Sequence, residues 1–155
     1  MSNNGIEPYI KITNSVIETM TTVKPQVGEA YLKPDHKTWG VVTSMISFAS
    51  DNINGYLSIS FDEPAALEIV SKMLYEEFKA IDAAVVDAVG ELANMLMGGM
   101  KREFSEKGLS FQMTTPMMLT GKNIELSPLS KAPVTVIPFL TEKGGFVIET
   151  NVLVD

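Results

Sequence analysis

The sequence predicts an α+β domain, with a mostly antiparallel six-stranded sheet covered on one face by three helices, one of them long. Four observations lead there. Segments of helical and of alternating apolar periodicity come in blocks, in the order helix, three strands, two helices, three strands, which segregates helices from the sheet. A length of 155 residues supports one core that buries roughly 68 to 70 per cent of the unfolded surface. No linker, repeat or low-complexity segment divides the chain, so residues 1–155 read as a single domain. Finally, one helical pattern runs from Asp82 to Lys107, roughly 39 Å at about 1.5 Å per residue, enough to cross a whole sheet.

The first helix is expected from Pro8 to Val23, where Tyr9, Ile12, Val16, Met20 and Val23 recur on one face. Pro8 suits a first helical turn and Pro25 stops the helix. Gln26 to Lys33 reads as a short strand, followed by the polar turn Pro34 to Lys37. An apolar stretch from Trp39 to Ala49 then pairs, through a turn at Asp51 to Gly55, with the alternating run Tyr56 to Phe61. Trp39 at the start of that stretch reads as a packing residue.

Asp62 and Glu63 before Pro64 open a second helix, whose apolar face is Ala66, Ile69, Val70, Met73 and Leu74 and whose end is expected near Phe78. Asp82 opens the third, and Lys107 followed by Gly108 closes it. Three strands complete the chain, at Phe111 to Thr120, Pro133 to Leu140 and Phe146 to Val154, separated by Gly121, Ser127-Pro128 and Gly144-Gly145. Pro138 cannot donate to a ladder, so its strand lies at an edge or carries a bulge.

Composition narrows function by exclusion. Hydrophobic content of 45% with 20% charged residues fits an ordinary globular domain, and no apolar run reaches the roughly 18 to 20 residues that span a bilayer. The segment MSNNGIEPYI lacks the basic and apolar parts of a secretory signal, so no membrane association and a cytoplasmic location are expected. With no cysteine and one histidine, His36 in a polar turn, thiolate chemistry and a zinc site lack their ligands. A formal charge of −7 opposes binding to a phosphate backbone, so nucleic acid is not an expected partner.

The long helix is the informative stretch. Asp87, Glu91, Asn94 and Gly98 recur at steps of four, three and four and share one stripe. Val85, Val89, Leu92, Leu96 and Met100 hold the other side. On residues alone, the stripe is either a solvated face or a surface for a partner. A serine triad would depend on His36 and lacks a nucleophile elbow. Gly98-Gly99-Met100-Lys101 is not a phosphate-binding loop, since it lacks the spaced glycine, the Lys-Ser/Thr pair and a preceding strand. Asp87 and Glu91 one turn apart give weak support for paired acid and base work. An amide such as Asn94 can accept and donate at once and so can hold a water, while a carboxylate one turn away can engage a cation.

Methionines cluster around this stretch: Met95, Met97 and Met100 with Met113, Met117 and Met118, suited to core filling or to adaptable contact. Gly98 and Gly99 each cost about 1 kcal/mol against alanine inside a helix, which asks for a close approach by another part of the chain or by a partner.

The run Asp87-x3-Glu91-x2-Asn94, with Pro116 downstream, resembles the signature of the CheC/CheX/FliY chemotaxis phosphatases. Gly90-Glu91-Leu92-Ala93-Asn94, Asn54-Gly55-Tyr56-Leu57, Thr120-Gly121 and the lysine-proline segment after the first helix extend the resemblance over nearly the whole chain. Glu-x2-Asn occurs once, at Glu91, which points to the CheX branch rather than to CheC-type members with two such signatures. The resemblance implies a CheC-like fold and an enzyme that removes phosphate from the phospho-aspartate of a CheY-like response regulator. It implies catalytic roles for Asn94, orienting the attacking water, and for Glu91, pairing with the regulator's lysine. Asp87, Gly98 and Pro116 would support or contact the partner. The chain would need no metal of its own, Mg²⁺ being supplied by the regulator. A homodimer joined at sheet edges is implied as well. The alternative is a non-catalytic binding or scaffold module of the same fold, related to flagellar switch proteins.

Overall fold

Alternation along a single strand sets the layering. On β4 (Ile53–Phe61), Ile53, Leu57, Ile59 and Phe61 are at most 1% exposed and join the core beneath the helices, while Tyr56, Ser58 and Ser60 point the other way. The computed structural model describes residues 5–51, 53–127 and 132–154. Asn52 in the expected turn and Pro128 in the expected loop lie outside them. The elements run α1 (Glu7–Thr21), β1 (Gln26–Val27), β2 (Tyr31–Leu32), β3 (Val42–Ala49), β4, α2 (Glu63–Leu74), α3 (Ala83–Glu106), β5 (Gln112–Met113), β6 (Met117–Thr120), β7 (Thr135–Leu140) and β8 (Gly145–Val154).

The sheet has eight strands rather than the expected six, all paired antiparallel in the order β1-β7-β8-β4-β3-β5. β2 shares the place of β1 against β7, and β6 shares the place of β5 against β3. Each expected outer strand is thus broken in two. The break has the same cause at both edges. Val27 pairs with Phe139 but Tyr31 with Val136, so the edge chain spends one residue more than β7 over the same distance, a bulge. Pro138 lies opposite that gap. Its carbonyl accepts the Gly28 N–H at 2.8 Å, so its missing N–H faces the bulge and no ladder bond is lost.

At the other edge Met113 pairs with Phe48 and Met117 with Met45, again one residue too many, and Pro116 stands in the gap. There Thr114 stands in for the ladder, with its hydroxyl accepting the Ser47 N–H at 3.1 Å and its own N–H reaching the Ser47 carbonyl at 2.9 Å.

Helix ends follow local chemistry. α1 stops at Thr21 because Thr22 takes a left-handed conformation (φ 64°). α2 stops at Leu74, short of the expected Phe78, because Tyr75 does the same (φ 55°). α3 is capped as expected: the Asp82 carboxylate accepts the Val85 N–H at 3.0 Å, and Gly108 turns away with φ +80°. The hairpin between β3 and β4 is tighter than the sequence suggests. Ser50 N–H meets the Ile53 carbonyl at 2.7 Å, so Asn54 and Gly55 already pair with Ala49 and Phe48. β3 itself begins at Val42 rather than Trp39. Gly40 lies so close to the Phe61 carbonyl that a Cβ would stand 2.1 Å from the oxygen.

The second face of the sheet is also buried, by irregular chain. Segments 36–38 and 124–126 run side by side, with Thr38 N–H on the Ile124 carbonyl at 2.9 Å and Leu126 N–H on the His36 carbonyl at 2.7 Å. Below them Thr43, Met45, Ser58, Glu149 and Asn151 are all less than 10% exposed.

One carboxylate ties the helical layer to the sheet. Asp62 Oδ1 caps α2 through the Ala65 N–H at 2.9 Å, and Oδ2 accepts the Gly145 N–H at 2.9 Å from the start of β8. Asp62→Ala should therefore cost about 2 kcal/mol, at the upper end of the range for a lost helix cap. A urea midpoint within error of the parent would show that the cap carries no such weight.

Candidate functional site

The orientation of α3 about its own axis decides which residues meet solvent. Val85, Val89, Leu92, Leu96 and Met100 are at most 1% exposed, packed with β3 and β4 residues such as Ile46, Phe48 and Leu57. The opposite stripe follows from the helical repeat. Asp87 and Glu91 are exposed, and Asn94 and Gly98 half-buried. None of Asp87, Glu91 and Asn94 makes a side-chain hydrogen bond or an ion pair among the described residues. Glu91 and Asn94, with no internal partner among the described residues, therefore sit one turn apart on α3.

Pro116 is placed in the break immediately before β6, and β6 packs against α3. Met118 on β6 lies under the helix: a Cβ on Gly90 would be 3.2 Å from its Sδ. The strand thus supports the turn that carries Glu91. α1 supports the other end. A Cβ on Gly99 would stand 2.7 Å from Ile12 Cγ2, so the close approach that Gly99 permits is to α1. Gly98 differs, since nothing stands within 4 Å of its would-be Cβ. No packing inside the chain explains it. Exposed Lys11 and half-buried Glu103 add an ion pair at 3.2 Å between α1 and α3, worth little so near solvent.

The clustered methionines divide. Met97 and Met100 are core, Met95 and Met118 are half-buried, and Met113 and Met117 are 39% and 48% exposed along the β5/β6 edge. The side of the molecule that carries Glu91 and Asn94 thus adjoins Met113, while Met117 faces the other side of the sheet.

A second polar cluster escaped the sequence reading. Behind the sheet, Lys33 and Glu149 form an ion pair with side chains only 11% and 5% exposed. Burial pushes the Glu149 carboxyl above the usual range against the opposing pull of Lys33, and burial followed by Glu149 pushes the Tyr56 phenol up to about 12. The one signal in the sequence was an acid inside the expected strand Phe146 to Val154, with nothing to name its partner. Among the described residues, no three of His, Asp and Glu gather as a metal-binding group.

Comparison with known proteins bears on the fold and the family. Residues 42–140 match the family model described as chemotaxis phosphatase CheX. The CheY-P phosphatase CheX of Thermotoga maritima is 30% identical over 88 residues, 54% of this chain and 57% of that protein, so the match spans little more than half of the relative. A CheC-like superfamily protein from Shewanella sp. PV-4 shares 36% identity and a TM-score of 0.89, covering 98% of this chain and 99% of that one. A chain of the CheX–CheY–BeF3–Mg²⁺ complex from Borrelia burgdorferi shares 26% identity and a TM-score of 0.78, covering 96% of each. The fold expected from the sequence is therefore observed in its relatives.

The two adjacent glycines give a test of the packing. Gly98→Ala should stabilise the chain by up to about 1 kcal/mol through helix propensity alone, while Gly99→Ala should destabilise it by displacing Ile12. Urea unfolding of the two variants checks this, and equal shifts of the same sign would contradict the assigned environments.

Proposed function

The chain belongs to the CheX family of chemotaxis phosphatases, and we propose that it hydrolyses the aspartyl phosphate of a CheY-like response regulator with Glu91 and Asn94 as its working side chains. One observation carries the reading. The Glu-x2-Asn pair stands on the solvent side of α3, without side-chain partners among the described residues, on a helix whose other side is locked into the core.

Hydrolysis of an acyl phosphate needs a water held in line with phosphorus, opposite the aspartate oxygen that leaves. The Asn94 carboxamide can accept one hydrogen bond from that water and donate another to the phosphoryl group, fixing its approach without acting as a strong base. Water then bonds to phosphorus, the bond to the aspartate oxygen breaks, and the products are a carboxylate and inorganic phosphate. Glu91, one turn away, offers a carboxylate to a lysine of the regulator and fixes the docking register. Mg²⁺ bound by the regulator neutralises charge on the phosphoryl oxygens.

Asp87 extends the acidic stripe one turn towards the helix N-terminus and has a supporting part. Gly98, open above its Cα, leaves room for the regulator's backbone at the far end of the stripe. Pro116 ends the break that lets β6 seat under Gly90. Because the substrate is a signalling protein of the cytoplasm, the same location is assigned to this chain. Among the described residues, no helix is long and apolar enough to cross a membrane.

A homodimer is part of the same reading. The β1/β2 edge exposes Val27, Tyr31 and Leu32, the last 59% exposed, beside Leu140 at 63%. A second copy covering that edge would remove this apolar patch from water and leave the β5/β6 side free for the regulator.

Three measurements test these assignments. Asn94→Ala should keep the parental circular dichroism and lose about 10²-fold or more in phosphate release from a phosphorylated regulator, the scale of one oriented polar group in a transition state. Parental turnover in that variant would falsify the water-positioning role, and silence of the parent across several regulators would favour the scaffold alternative. Glu91→Ala should weaken binding to the phosphorylated regulator as well as turnover; unchanged affinity removes the pairing role. Leu32→Lys should convert a dimer to a monomer in sedimentation velocity, and a parent that is already monomeric at micromolar concentration sinks the dimer assignment.

A further inference from the structure

The reverse face of the sheet holds a cavity that the phosphatase reading does not use. It measures about 210 Å³ and lies between the sheet and the irregular segments that cover it. Its apolar walls include Met45, Met117, Leu126 and Val134, and its polar end is built from Lys33, Glu149 and Tyr56.

The polar end is incompletely satisfied. Glu149, 4% exposed, gives one carboxylate oxygen to Lys33, and its other oxygen meets no donor among the described residues. The Lys33 ammonium makes no second hydrogen bond among them. The free Glu149 oxygen and the Lys33 ammonium thus stand together at one end of the cavity, an acceptor beside a donor.

We propose that this cavity binds a small uncharged aromatic molecule with an amide-type head, a donor and an acceptor side by side. Size sets the body of the ligand, since an apolar cavity of about 150 Å³ takes up benzene and this one exceeds it by room for a polar substituent. The methionine thioethers of Met45 and Met117 favour an aromatic ring between them. Charge sets the head. The Lys33–Glu149 pair is neutral as a unit, so an ion beside it would bring an uncompensated charge into a buried site. An amide instead donates N–H to the free Glu149 oxygen and accepts from Lys33, adding no charge.

The site also has a route to α3. Met117 lines the cavity, while its neighbour Met118 points to the opposite face and lies beneath Gly90. An occupant that moves β6 therefore presses on the helical turn that carries Glu91.

Benzamide is the probe, with benzoate as the control of equal shape and opposite head chemistry. The full chain, labelled at the methionine methyl groups, is titrated and followed by NMR. Saturable shifts are expected at Met45 and Met117, with Met97 and Met100 in the helical core unmoved. Benzoate should bind about tenfold more weakly or less, the scale of one hydrogen bond lost to a buried carboxylate. Leu126→Trp, on an irregular surface segment, should fill the cavity and abolish the shifts without unfolding the chain. Absence of saturable shifts up to the solubility limit of benzamide, shifts undiminished in Leu126→Trp, or equal binding of benzoate would each overturn the proposal.

Discussion

The structure depends on the burial of one stripe of α3. Five residues, Val85, Val89, Leu92, Leu96 and Met100, are removed almost wholly from water against β3 and β4. At roughly 1.5 to 3 kcal/mol for each large side chain, this burial fixes the rotation of the helix far more firmly than any surface contact could. A rotation by one residue, about 100°, would put Glu91 or Asn94 against the sheet. Exposure of the polar stripe is thus a by-product of hydrophobic packing, and Glu91 and Asn94 inherit a fixed direction without side-chain hydrogen bonds to the described residues. Gly99 matters for the same reason, since it lets α1 close over the helix through Ile12.

The two faces of the sheet solve opposite problems. Towards the helices it presents Ile, Leu and Phe at close-packed positions, and the cost of order is met by area. Towards the irregular segments it presents Thr, Ser, Glu and Asn, which need partners. The Lys33–Glu149 pair meets that need in part. Such a pair is weak evidence for stability, because the attraction it gains competes with the desolvation of both ions.

Much of this was legible in the sequence, and what was not has physical reasons. The 3.6-residue period of α3 and its caps at Asp82 and Gly108 put the helix within a residue of its ends, because periodicity and capping are local. Exposure of Asp87, Glu91 and Asn94 followed from the same period, while their roles came only from resemblance. The broken edges were illegible, since a two-residue strand is too short to show alternation and a one-residue slip leaves no mark in composition. Asn54-Gly55 looked like a turn but lies in β4, because the chain had already reversed at Ser50. Likewise the end of α2 rests on Tyr75 adopting a backbone conformation that its type rarely takes. Lys33 and Glu149 are brought together by strand order, which no local pattern reveals.

The two broken edges have a consequence for colloidal behaviour. A sheet whose outer strand runs straight offers a continuous row of donors and acceptors, on which further chains can stack without limit. Here each outer rank is divided by a bulge, with Pro138 opposite one gap and Pro116 inside the other, so no uninterrupted template longer than a few residues is presented. Growth of fibrils from the native state is thereby discouraged at both ends of the sheet at once.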